Sequence, residues 1–568
     1  MVRPTGESMS KLDRRQALKA GGTLAVAALV GSDARSNLSL PPAPSEAQLE
    51  FLNAGVGKPG VPPLEALVFN RLAYGPRPGD LEAFTALPGD SRAKLSAFLE
   101  SQLAPSKIDD SECDQILTGL NYTTLSKSLE QAWQDHRVNL DEKDEKRYEK
   151  MFQPVYEVKL ATYVRAVHSY RQLLERLTEF WHDHFNIHPD RDERIAPGWA
   201  AFNRDAIRAN AFGNFGKMLE AVATSPAMLI YLDNASSSRG GPNENFSREL
   251  FELHTLGAEN YFGVKRQDVI AKDSAGLPVG YVDDDVYETT RAFTGWRLSD
   301  NNDEPGLGNT GKFVAYTPWH DRFQKKILGK YLPPDQTPLR DGKDVLEVLA
   351  AHPGTARFIC RKLVRKFVAD DPPQRVIDAA AKVFLEQRNA PDQIAQVLRV
   401  IVLSDEFRTT WGEKIKRPLE FQFSMTRALG PKIAWNNDLL WQLGWLGQGM
   451  FEHRPPDGYS DRRERWKGTS ALLRRWQHAH SVAHGWNEQC KVQVVNQTPG
   501  EFRTPNQLAD FWLARVLPRA ASLNLRTEVL NALRGEGDAN TKVPDDQLEW
   551  KLANAVALML MSPEFQWR

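Results

Sequence analysis

Cysteine is nearly missing from this chain: Cys113, Cys360 and Cys490 are the only three in 568 residues, far apart and without a C-x-x-C pair. They can form at most one disulfide, which excludes a disulfide scaffold and a thiolate zinc site. An excess of charge of one sign is missing too. Lys and Arg number 72 against 73 Asp and Glu, a formal net charge of −1. That balance gives no electrostatic case for nucleic acid or an anionic membrane as a partner. No apolar run reaches the roughly 20 residues that a membrane-spanning helix needs. No P-loop, dinucleotide fingerprint, G-x-S-x-G or H-E-x-x-H occurs, so there is no nucleotide or flavin motif and no zinc-protease signature.

Length, aromatics and a readable start are what the chain does have. Its size allows several domains or one large core without staples, and 15 Trp with 26 Phe leave several aromatics to spare for a binding surface. "DRRQALKAGGTLAVAALVGSDA" sets Arg14 and Arg15 before a short apolar stretch, with Ser32 and Ala34 as a small-x-small cleavage site. The pattern resembles a twin-arginine export signal; the competing reading is a chance arginine pair before a core helix. Residues 1–34 are therefore expected to be a signal peptide and 35–62 a Pro/Gly-rich linker. The mature chain is expected in the periplasm or outside the cell, with no transmembrane anchor after signal cleavage. Twin-arginine substrates cross the membrane folded, often with a cofactor already loaded, so a single metal ion is admitted and no cofactor is named.

Apolar residues spaced by threes and fours predict helices over 163–185, 207–222, 244–256, 286–294, 344–351, 355–368, 375–387, 392–403, 507–516 and 545–561. Strand signals are few: "KFVAYTP" and "KKILGKYL" flank His320-Asp321 and are expected to pair as a hairpin. The expected fold is mainly α, a large multi-helix bundle-like architecture with a small β-hairpin excursion. Residues 63–411 would form the main helical domain with the polar motifs, and 412–568 a C-terminal helical region packed on it. Ser404 and Ser562 suit N-caps.

Polar residues cluster in four places. In "GGPNENFSRELFELHTLG" a helical wheel puts Asn245, Arg248, Glu249 and Glu252 in one arc, with Asn243 ahead as an N-cap and His254 pointing away. A solvated face with ordinary ion pairs is the plain alternative. In "FWHDHFNIHPD", His184 falls among Leu177, Phe180 and Trp181, while His182 lies off that arc, so the two are poorly spaced to chelate one ion. A buried imidazole needs a polar partner, and Glu249 is the expected one. Two further patches are Arg291 and Trp296 in "ETTRAFTGWRL" and, separately, His320-Asp321 in "TPWHDRFQKKILG"; a solvated turn is the alternative for the His-Asp pair. "WKGTSALLRRWQHAHSVAHGW" reads as an amphipathic helix more readily than as an aromatic–basic ligand surface.

Together with "FNRLAYGPRPGDL", "SPAMLIYLDNASS", "AHPGTARFICRKLVRKFVADDPP", "KRPLEFQFSMTRALG", "PPDGYS" and "SPEFQ", these stretches resemble the bacterial "domain of unknown function 1800" family, in its order from about residue 65 onward. The sequence departs from the family pattern at His254, which stands where a Phe is usual, and in an insertion between Tyr261 and Tyr281. It also lacks the Gly-Trp usual after the prolines of "PPDGYSDRRERW". The resemblance implies export and, in many members, a neighbouring exported protein of the alkaline-phosphatase/sulfatase type. It carries no established activity.

The functional expectation is an exported hydrolase or lyase acting on an envelope or extracellular polymer. His184, Glu249, Glu252 and Arg248 are the candidate catalytic residues. His182, Asn243, Asn245, Arg291, Trp296, His320 and Asp321 are the substrate-binding candidates. The alternative is a non-catalytic scaffold for another secreted protein, its polar groups fixing helix register.

Overall fold

The computed structural model describes residues 60–274, 276–301 and 307–568. The signal segment 1–34 and nearly all of the 35–62 linker lie outside the described residues. The protein is mainly α, and the strands among the described residues are confined to three two-stranded antiparallel pairs. No described helix is long and apolar enough to cross a membrane.

The helices include α1 (Arg147–His168), α2 (Gln172–His184), α3 (Asn245–Glu249), α4 (Asp283–Phe293), α5 (Pro338–Ala350), α6 (Pro353–Phe367), α7 (Gln374–Glu386), α8 (Gln393–Val402), α9 (Pro418–Leu429), α10 (Asn437–Leu446), α11 (Thr469–Ala483) and α12 (Asp545–Met561). Residues 60–568 form one compact unit with two apolar clusters. One gathers α2, α6, α7 and α8 around Trp181, Trp199, Leu363 and Phe384. The other gathers α9 to α12 around Phe421, Leu443, Trp512 and Leu552. Helix α1 feeds both, through Val155 and Val158 to the first and Tyr163 and Val167 to the second. All three cysteines are buried free thiols.

The expected 163–185 helix is two helices. At the break, Ser169 takes an extended backbone, and the Gln172 amide donates to the carbonyls of Ala166 (3.2 Å) and Ser169 (2.8 Å). The Asp110 carboxylate accepts from Ser169 Oγ at 2.7 Å and from the Tyr170 N–H at 2.6 Å. A buried acid from far outside the segment thus holds the chain out of the helix. The expected 244–256 helix is regular only through α3; Leu250–His254 winds as a π-helical turn. That wider turn, which often marks functional segments, redirects His254.

The hairpin expectation fails in its pairing. Strand β1 (Trp296–Asp300) pairs with β2 (Asn309–Ala315), which carries the "KFVA" segment, while β3 (Lys325–Ile327) and β4 (Lys330–Leu332) close on each other. Leu328 and Gly329 both have positive φ, so "KKILGKYL" turns back on itself rather than onto its neighbour. The third pair joins β5 (Lys432–Ile433) to β6 (Cys490–Lys491). Ser404 and Ser562 do cap, accepting from the Phe407 and Phe565 N–H groups at 3.2 and 3.3 Å.

Candidate functional site

Successive residues on an α-helix diverge by about 100°, so His182, Asp183 and His184 at the end of α2 face three environments. His182 sits among Trp199, Phe202 and Phe451 with its Nε2 on Asn203 Oδ1 at 2.9 Å. Burial pushes this imidazole down to about 4, which leaves it neutral and structural. His184 is also buried. Its Nδ1 accepts from Lys362 Nζ at 2.9 Å and its Nε2–H donates to the His254 carbonyl at 3.1 Å. Burial, then the Lys362 charge and His254, hold it far below the usual imidazole range. Both ring nitrogens are therefore committed, and neither meets Glu249 or Glu252. The partners expected for His184 are replaced by a lysine from α6 and a carbonyl from the π-helical turn.

Asp183 faces a charge cluster beneath the helix. Its Oδ2 accepts from Arg417 Nη1 at 2.7 Å, and Arg417 also binds Glu179. Arg176 pairs with Glu420 at 2.8 Å, Lys366 with Glu179 at 3.1 Å, and Arg568 with Glu420 at 3.0 Å. Asp461 lies 3.7 Å from Arg417 and 3.8 Å from Lys366. Despite the cost of burial, the surrounding cations hold Glu179, Glu420 and Asp461 below the usual carboxylate range. Asp183 goes the other way. Burial pushes it up to about 6, and the nearby Glu179 charge adds to the rise while Arg417 opposes it.

The loop carrying "PPDGYSD" closes over this end of α2. The Asn186 amide donates to the His453 and Pro455 carbonyls at 2.9 and 2.7 Å, and Tyr231 OH donates to the Arg454 carbonyl at 2.5 Å. Gly458 packs so tightly on the Asp183 backbone that a Cβ would overlap its carbonyl, and its φ of +73° is left-handed. Only glycine fits both demands.

Between α2, α6 and this loop lies a cleft of about 230 Å³, lined by Phe180, Asp183, His184, Lys362, Arg365 and residues 457–462. Burial brings Lys362 down to about 8, while Asp461 and Asp183 oppose that fall. Two groups on one cleft are thus shifted toward neutral pH from opposite sides, a pattern that accompanies acid–base sites.

The other sequence candidates are spread out. Glu249 is half-buried and pushed up to about 6 by burial, then by the Glu252 charge, with Asp457 of the cleft loop adding a smaller push. Arg248 forms a surface ladder with Glu244 (3.2 Å), Glu252 (3.6 Å) and Asp283 (3.6 Å). Asn243 Oδ1 accepts from the Asn245 N–H at 3.0 Å, and the Asn245 amide donates to Asp233 at 3.2 Å. The Arg291–Trp296 and His320-Asp321 segments lie against each other. Trp296 is buried with its indole N–H on the Pro338 carbonyl at 2.8 Å. Arg291 grips Asp321 through two 3.0 Å bonds. His320, fully buried rather than in a solvated turn, faces the Thr294 carbonyl and Asp341. Lys325 joins that carboxylate at 2.7 Å, and against the cost of burial these contacts keep Asp341 below its usual range. His320 and Asp321 line a different cleft, of about 490 Å³, with Arg239 and Arg322.

Sequence reasoning missed Asp183, Lys362, Arg365 and the 457–462 loop. Their signal lay in the stretches quoted above: the acid between the two histidines, "RKLVRK" and "PPDGYSD". Among the described residues no three His, Cys, Asp or Glu side chains are placed to hold a metal ion.

The residues of this cleft come from segments spread over most of the sequence. The profile of the family described as "Protein of unknown function (DUF1800)" matches residues 67–567. The chain belongs to this family. The DUF1800 match covers every cleft residue, from Phe180 to Arg462. No curated protein and no solved structure matches the chain.

Proposed function

We propose that this DUF1800 protein is an exported acid–base enzyme, a hydrolase or lyase, working at the α2–α6 cleft on a polymer of the envelope or the extracellular space. One observation carries the reading: Asp183, near 6, and Lys362, near 8, border the same cleft. At neutral pH the first is a carboxylate and the second an ammonium. Asp183 takes a proton from water or from the substrate, and Lys362 returns one to the leaving oxygen. Arg365 and Arg462 oppose an anionic group on the substrate. His184 stays neutral and fixes Lys362 rather than titrating. Glu249, Glu252 and Arg248 are not among the residues that line the cleft.

Export rests on Arg14-Arg15 and the short apolar stretch behind them. Replacing both arginines by lysine should leave the precursor in the cytoplasm, as read by cell fractionation. For the enzyme, Asp183→Asn and Lys362→Gln should each lower product release from envelope polysaccharide by about 10²-fold or more, with the melting transition retained. New reducing ends without unsaturation mean hydrolysis; unsaturated ends mean elimination. Full turnover in both variants would sink the proposal. Elemental analysis of the exported protein reads whether a metal ion joins the site.

The buried cluster of Arg176, Arg417, Arg568, Glu179 and Glu420 favours a second reading, in which the polar residues fix helix register in a scaffold. Its partner would be an exported protein of the alkaline-phosphatase/sulfatase type. In that case the same variants lose fold or partner capture, and there is no turnover to lose.

A further inference from the structure

We infer that the indoles of Trp441, Trp445, Trp486 and Trp550 form a platform that binds chains of uncharged sugar rings. The inference stands on a surface of the C-terminal half and does not depend on the chemistry of the cleft. Soluble proteins keep large aromatics covered, and an exposed set marks a contact surface. Here Trp441 is 77 % exposed, Trp486 59 %, Trp550 53 % and Trp445 46 %.

The platform is built rather than loose. His484 stacks on Trp486 with centroids 4.5 Å apart and planes at 27°, and meets Trp550 at 4.7 Å. His480 backs His484 at 4.3 Å and Trp486 at 5.3 Å. The His484 ring is oriented by Asn554 Oδ1 at 3.0 Å. Gly485, at φ +68°, provides the turn that brings Trp486 back over the end of α11. On α10, Trp445 lies within about 60° of Gln442 by helical geometry. The Gln442 amide donates to Asn487 at 3.2 Å, which ties α10 to the loop that follows Trp486. Arg474 of α11 holds the Trp445 carbonyl at 3.0 Å.

The chemistry selects the occupant. Burial lowers both His480 and His484 from the usual imidazole range, so the stacked core is neutral. The charges tied to the platform are Glu549, which acts on His484, and Arg474, on the Trp445 carbonyl, a balance that attracts neither anionic lipid nor nucleic acid. Flat C–H faces of pyranose rings match indole faces, and the half-buried amides of Gln442 and Asn554 match sugar hydroxyls.

The test uses the full mature protein, titrated with cellohexaose and chitohexaose by tryptophan fluorescence and calorimetry. The wild type should bind at least one of the two oligosaccharides, with little change in high salt. W486A/W550A should bind about tenfold or more weakly with an unchanged melting temperature, and W441A/W445A should bind more weakly than wild type. D183N should bind like wild type, which keeps failure of the cleft distinct from failure of the platform. Three results overturn the inference. The wild type binds neither oligosaccharide, or W486A/W550A binds as well as wild type. Or the variant loses instead an association with phosphatidylglycerol vesicles or with a second copy, seen by flotation or sedimentation.

Discussion

Lys362 and Asp183 set the behaviour expected of single residues. With Asp183 near 6 and Lys362 near 8, kcat/KM should rise as pH passes through about 6 and fall as it passes through about 8. A pH series checks this bell. His184 accepts a hydrogen bond from Lys362 Nζ, and that bond favours the ammonium. His184→Leu should therefore move the alkaline limb below about 8 while the acid limb stays. Gly458 is the second sensitive position. Gly458→Ala adds a Cβ where the Asp183 backbone already sits, at a left-handed φ. It should cost more than about 1 kcal/mol and abolish turnover by displacing the loop, seen as lost product with far-ultraviolet dichroism retained.

Elements show where local pattern decided the structure and where it did not. α6, α7 and α8 follow their apolar periodicity because each packs one stripe on a core, while α12 is apolar over most of its surface and is enclosed by its neighbours. The caps at Ser404 and Ser562 are equally local. The break between α1 and α2 was illegible, since it is enforced by Asp110 and Gln172 reaching across the fold. Gln172→Leu should leave those carbonyls and the Tyr74 N–H without partners and cost about 1–3 kcal/mol, read by denaturant titration. The π-helical turn at 250–254 was illegible for a similar reason. A wheel drawn at 100° per residue cannot foresee the extra residue that brings the His254 carbonyl onto His184. The candidate site was therefore half legible. "PPDGYS" was marked only as a stretch of family resemblance, and "HDH" for its histidines, which turn out to be buried and neutral. The acid between them and the lysine 179 positions later on α6 carry the shifted titrations.

The whole molecule is held together by charges as well as by its two apolar clusters. Arg568 and Arg176 both reach Glu420, and Arg417 and Lys366 link Glu179 to the loop of Asp461. Removing one partner from such a buried set leaves another charge unpaired. Arg568→Met should destabilise the fold by about 3–5 kcal/mol, measured by urea unfolding. Buried lysines add a pH term of known sign. Lys362 and Lys414 lie near 8 and Lys416 near 7, so above those values the unfolded chain binds more protons than the folded one. Stability should rise from pH 7 to about 8.5, visible as a higher melting temperature.

The three sealed sulfurs give the molecule a built-in clock. Cys360 belongs to the apolar cluster around α6 and Cys490 to the one around α9–α12. An alkylating reagent should leave both untouched in the native protein and mark each when its own neighbourhood opens. Peptide mapping after timed exposure would then rank which half of the chain loosens first, without any engineered label.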